Sequence, residues 1–104
     1  MTAAKHTPGP WRVGPVDDTR VEDANGNEVA QIDGDYNQPD TWPLMEANAR
    51  LIAAAPDMLA ALKAAKEADK INIARGGAAK FIEADQRAQR LIRAAIAKAE
   101  GSNA

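Results

Sequence analysis

The sequence predicts an α+β fold: a small N-terminal antiparallel sheet, made of a β-hairpin plus an edge strand, packed on a C-terminal antiparallel helical hairpin. Three observations carry that prediction. An Asn25-Gly26 pair separates two short alternating segments, the strongest local signal for a hairpin. From Leu44 onward the chain is dense in Ala, Leu and Met, the residues that lose least by becoming helical. Gly76-Gly77 then divides that half into two apolar-periodic stretches, as a short turn between antiparallel helices would.

The 104 residues suffice for one small domain, 1–104, with a strand region over 6–32 and a helical hairpin over 44–99. Large apolar residues are scarce, with one Phe, one Tyr and two Trp, and much of the 45% hydrophobic content is alanine. A core built this way is thin, so a homodimer or higher homo-oligomer is expected. A net charge of −2 argues against binding a nucleic-acid polymer. The absence of cysteine rules out disulfides, a thiol nucleophile and thiolate metal sites. No long apolar run opens the chain, so neither a signal peptide nor a membrane span is expected.

Residues Met1 to Lys5 are expected to be loose. His6-Thr7-Pro8-Gly9-Pro10-Trp11 follows. Two prolines around a glycine cannot be helical and fix a bent, extended path. Trp11 is the natural anchor of that bend on the core, and His6 is expected to bind an Asp or the backbone there. Trp11 to Val13 begins an edge strand that Gly14-Pro15 interrupts. The hairpin pairs Thr19–Ala24 with Asn27–Ile32, with positive φ expected at both Asn25 and Gly26. Val13, Val21, Val29 and Ile32 supply its apolar positions, and the sheet must pack on the helices to be stable.

A polar loop over residues 33–40, which includes Tyr36, leads to the helices. Asp40 or Thr41 is positioned to cap the first one, with Pro43 in its first turn. The helix is expected to run from about Leu44 to Lys66 or beyond, with a kink or a break near Pro56; the apolar pattern stays in phase across the proline, which favours a kink over a full change of direction. If it breaks, Pro56 opens a second helix and Asp57 sits favourably in its first turn. Gly76-Gly77 closes this region. The last helix spans about Ala78 to Ala99, with an apolar face that includes Phe81, Leu91 and Ile92, and with Arg87, Arg90 and Arg93 opposite. Glu83 stands four residues before Arg87, the favourable order for a surface pair. Glu100 to Ala104 are expected to fray.

Polar groups out of pattern are the informative ones. Asn48 falls near the centre of its helix's apolar face, so it is expected to be buried or to face a partner, either bonding a loop carbonyl or touching a ligand. Asp85 falls on the apolar side of the last helix, at an interface or at a solvated edge. One histidine cannot make a histidine-rich metal cluster, and the sole serine, Ser102, lies in the tail. No phosphate loop is present, and no nucleophile, base and orienting group come together, so an enzyme is not expected. Arginine is the preferred fork for phosphate oxygens. Arg50, Arg75, Arg87, Arg90 and Arg93 are the available anion-binding groups, although such residues also make ordinary solvated faces.

His6-Thr7-Pro8-Gly9-Pro10-Trp11 followed by Ala47-Asn48-Ala49-Arg50-Leu51-Ile52-Ala53-Ala54-Ala55-Pro56-Asp57-Met58-Leu59 resembles a family of small phage and prophage proteins. With the hairpin between them, the two motifs run from His6 to Leu59, about half of the chain. The resemblance implies a phage origin and a place in the host bacterial cytoplasm. The architecture also looks like the Thoeris anti-defence sponges, which are not enzymes and bind cyclic ADP-ribose-type signals or cyclic oligonucleotides between subunits. That likeness implies a cofactor-free homo-oligomer that sequesters a cyclic nucleotide, with helix arginines on its phosphates and an aromatic on its base. The ligand-binding candidates are then Trp11, Asn48, Arg50, Arg75, Arg87, Arg90 and Arg93. The alternative is a protein-interaction module that inhibits or adapts a host protein. Its mark would be an exposed apolar patch too large for a monomer, without a concave polar pocket.

Overall fold

Three strands come first in the computed structural model, which describes residues 6–34, 38–71 and 73–101. They are β1 (Trp11–Val13), β2 (Arg20–Asp23) and β3 (Glu28–Gln31), an antiparallel sheet in the order β1-β2-β3. Three helices follow: α1 (Trp42–Ala53), α2 (Ala55–Asp69) and α3 (Ala78–Glu100). The α+β class is as predicted, and the strands lie within the expected segments. Met1–Lys5, the Tyr36 loop tip and the Ser102 tail lie outside the described residues.

The hairpin turn differs from the expectation. Within the turn Gly26 alone has positive φ (85°), and among the described residues no non-glycine residue does. Gly26 N–H donates to Asp23 O (3.1 Å), and Asp23 N–H to Asn27 O (2.9 Å). This is the longer hairpin loop, a tight turn followed by one left-handed glycine. The Asp23 carboxylate selects it by accepting from the amides of Asn25 and Asn27, each at 2.9 Å. Those bonds favour the charged form and hold the Asp23 carboxyl below its usual range, against the opposing effect of burial. Asp17 is held low in the same way by the hydroxyl of Thr19 (2.6 Å) and then by its amide (2.9 Å).

Alternation divides the sheet into a charged and an apolar face. On one face, Glu22 pairs with Arg12 (3.3 Å) and Arg20 (3.0 Å). On the other, Val21 is fully buried, opposite Val13 on β1 and Ala30 on β3. Val21 packs with Ile32, Met45, Ala49 and Ala53, with Trp11 and Ile52 at the margin. Its burial is worth roughly 1.5–3 kcal/mol. Among the described residues Val21 is the largest side chain fully shielded from solvent, in keeping with a thin core.

A 3-10 turn, Pro39–Thr41, leads into α1, which begins two residues before the expected Leu44. Thr41 occupies the cap position without making a side-chain cap bond, and its hydroxyl donates back to Gln38 O at 2.8 Å. At Pro56 the chain takes the break. Ala54 separates α1 from α2, keeps right-handed dihedrals (φ −83°, ψ −6°), and leaves Pro56 and Asp57 in the first turn of α2. The missing proline N–H is tolerated there. α2 ends at Asp69, well before Gly76, and a second 3-10 turn, Ile73–Arg75, completes the link to α3.

α2 and α3 form the antiparallel pair, since Asp57 at the start of α2 reaches Lys98 at the end of α3. Ala61 and Ala68 of α2, and Ala88 and Ala95 of α3, are buried between the helices. Seven-residue spacing of small residues on both partners lets the backbones approach closely. α3 is ordered one residue beyond the expected end, and Gly101 caps it in the left-handed region (φ 70°). The molecule measures 61 × 38 × 17 Å, with a radius of gyration of 17.3 Å.

Candidate functional site

The two motifs singled out in the sequence touch each other. The Pro-Gly-Pro turn lies on the first turn of α2, where the α1–α2 break exposes Pro56. A Cβ placed on Gly9 would stand 2.7 Å from Pro56 Cβ, so only glycine allows this approach. Within the turn, the Trp11 indole N–H donates to Thr7 O at 3.1 Å, and His6 Nδ1 lies 2.9 Å from the same oxygen. The two rings meet edge to face, with centroids 6.4 Å apart. The backbone partner expected for His6 is thus present.

Lys98 locks this unit. Its Nζ donates to Trp11 O and to Asp57 Oδ2, both at 2.7 Å. One ammonium therefore ties β1, α2 and α3 together at the junction of sheet and helices. Among the ion pairs of the described residues, this one joins the most distant parts of the chain.

A trough begins beneath the turn and runs down one side of the α2–α3 pair. Its head, a cleft of about 380 Å³, is bounded by His6, Pro10, Pro56, Asp57 and Lys63. Ala60 and Lys63 also border the next cleft, of about 320 Å³, with Ala64, Glu67, Ala84 and Arg87. Ala84 and Arg87 in turn border a third, of about 260 Å³, with Lys80, Glu83 and Arg90. The three share walls and make one open channel. Ala60, Ala64 and Ala84 line it between charges of both signs.

The sequence-predicted ligand residues do not converge on one site. Trp11 lines a separate small cleft with His6, Ala55, Pro56 and Leu59, next to the head of the trough, and Arg87 and Arg90 line its far part. Glu83 shares that far cleft with Arg87, the residue with which it was expected to pair. Asn48 is exposed on α1, which corrects any reading that buries it within the chain. Helical phase was right about its stripe, but that stripe faces outward. Arg50 is half-buried at the end of α3, where its side chain packs on Gly101. Its Nε is buried without a hydrogen-bond partner there, and its charge faces the helix C-terminus, the negative end of the dipole. Arg75 is exposed in the connection at the opposite end of the helical pair. Arg93 is exposed on α3, away from the trough by helical phase.

Sequence reasoning missed Lys63 and Lys98, and read Asp57 only as a helix-start residue. A signal for Lys98 existed. Asp57 and Lys98 stand about equally far from Gly77, so folding the chain at the glycines brings them together. Among the described residues, no group of three or more His, Asp or Glu could hold a metal ion, and no helix is long and apolar enough to cross a membrane.

No curated protein and no solved structure matches the chain. Residues 1–103 match the family described as Salmonella phage P22 protein Y8K6. That match takes in the Pro-Gly-Pro turn, the sheet and all three helices, and the chain belongs to this phage protein family.

Proposed function

We propose that this phage protein is a non-enzymatic interaction module that works in the host cytoplasm by holding a polypeptide segment of another protein in the trough. The observation that carries this reading is the trough's open, continuous form. Its alanines accept apolar side chains. Lys63, Arg87 and Arg90, interleaved with Glu67 and Glu83, match the mixed charges of a polypeptide better than those of a lone anion. Small-molecule sites, by contrast, enclose most of their ligand.

A photo-crosslinking residue placed at Ala64, in the trough, tests the reading in phage-infected cells. The expected result is one discrete adduct from Ala64, absent when the same residue replaces the fully exposed Val16 and lost when Arg87→Glu is added. Equal labelling from Val16, or none from Ala64, overturns it.

One observation favours a second reading, the sequestration of a cyclic nucleotide signal. Lys80, Arg87 and Arg90 border a single cleft, and arginine forks suit phosphate oxygens. Incubation with cyclic ADP-ribose-type and cyclic oligonucleotide ligands, followed by heat release, decides between the two. Ligand recovered intact, and lost in Arg87→Glu, establishes sequestration. No recovery leaves the polypeptide reading in place.

A further inference from the structure

The side of the three helices facing away from the trough carries uncovered apolar side chains. Leu44, Leu51 and Leu62 are 67%, 52% and 67% exposed, and Ile82 and Ile96 are 55% and 51% exposed. These residues form two stripes. Leu44, Asn48, Leu51, Ala55, Met58 and Leu62 recur at alternating four- and three-residue steps through the right-handed Ala54. Ile82, Asp85, Gln89, Ile92 and Ile96 recur at three- and four-residue steps along α3. Such alternation is the seam of a coiled-coil-like packing. Met58 and Leu62 of the first stripe meet Ile92 and Ile96 of the second around one wholly apolar groove, so the two stripes make a single surface.

We infer that this surface is the interface between two copies of the chain, whose helical pairs associate face to face into a four-helix bundle. The areas support a second copy. The accessible surface is 7558 Å², against about 5,600 Å² for a compact monomer of this mass. The excess is more than twice the roughly 800 Å² that each partner buries in a standard stable complex. The radius of gyration, 17.3 Å, compares with about 13 Å for a compact chain of 100 residues. Two such slabs, each 17 Å thick, stacked on their apolar sides make a body of ordinary proportions.

Charge points to self-pairing. By helical phase Asp85 stands within the second stripe and Asp69 continues the first, while Lys66 and Arg93 stand toward the outer edges of the surface. A two-fold interface must complement itself, and two charges of each sign meet that requirement. Asn48 interrupts the first stripe as a single polar residue of the kind that fixes register in such seams, and Asp85 and Gln89 interrupt the second. The exposed asparagine and the half-buried Asp85 thus acquire a shared explanation. This face lies opposite the trough, so the inference does not depend on what the trough binds.

Sedimentation equilibrium of the full chain over a wide micromolar range tests it. The expected mass is twice the chain's 11.0 kDa, falling to the single-chain mass in the double variant Leu62→Glu, Ile96→Glu. Both positions are exposed in the single chain, so the helical circular dichroism should be retained. As a second readout, the cysteine-free chain allows a single nitroxide at Leu62→Cys. Close inter-chain coupling is expected there, and none from the same label at Lys63→Cys. A single-chain mass for the wild type, a two-chain mass that survives the double variant, or equal coupling from both labels overturns the inference.

Discussion

Replacing Lys98 with Met keeps the aliphatic stem and removes the ammonium that joins Trp11 O to Asp57. The half-buried Trp11 carbonyl then loses a charged donor, a contact worth about 1.5–3 kcal/mol. The ion pair adds less. Its side chains are 32% and 41% exposed, so solvent screening limits it to below about 1 kcal/mol. The two effects amount to about 2–4 kcal/mol of lost stability. For a domain of this size, each kcal/mol moves the melting midpoint by about 4–8 °C, so a drop of about 8–30 °C is expected. Circular dichroism melts of wild type, Lys98→Met and Asp57→Asn at one fixed protein concentration measure it, because association would make the midpoint concentration-dependent. Asp57→Asn should cost only the smaller part, about 1 kcal/mol or less. A Lys98→Met midpoint within about 2 °C of wild type would refute the lock, since neither contact could then be contributing.

Two further outcomes follow from the same geometry. Gly9→Ala drives a methyl into Pro56, and overpacking of this kind should cost about 1–3 kcal/mol. In a double-mutant cycle with Pro56→Gly, the denaturant midpoints should reveal a coupling on the order of 1 kcal/mol, because the second change removes the atom that is struck. The low carboxyls of Asp17 and Asp23 set an acid dependence. Because the folded state lowers their affinity for protons, their stabilisation is fully present above the ordinary carboxylate range near 4 and is lost as pH falls through the lower folded values. Urea midpoints should therefore fall between about pH 5 and about pH 3, and fall less steeply in Asp23→Asn.

Local chemistry made the architecture legible. Asn25-Gly26 marked the hairpin, and Gly76-Gly77 marked the fold-back of the two long helices. The detailed turn was not legible, because the Asp23 carboxylate, and not the Asn-Gly pair alone, chooses between competing loops. Proline restricts the backbone at Pro56 without deciding how far the helix axis bends, so the one-residue break at Ala54 was not legible. Most of the candidate site was hidden for the same reason. Arg50, Arg75 and Arg93 share a residue type with Arg87 and Arg90, but tertiary placement sends them to a helix end, a turn and the opposite face. Asn48 was identified correctly as a polar group on an apolar stripe. Its exposure reflects a chain too poor in large side chains to cover both sides of its own helices.

The Pro-Gly-Pro turn seated on the α1–α2 break is the feature on which the trough and the Lys98 lock both depend. A nuclear Overhauser spectrum of the labelled full chain observes that seating directly. Strong cross-peaks are expected between the Gly9 α protons and the Pro56 ring protons, since the space beside Gly9 Cα is filled by Pro56. A well-folded spectrum without those cross-peaks would separate the two motifs and contradict the account.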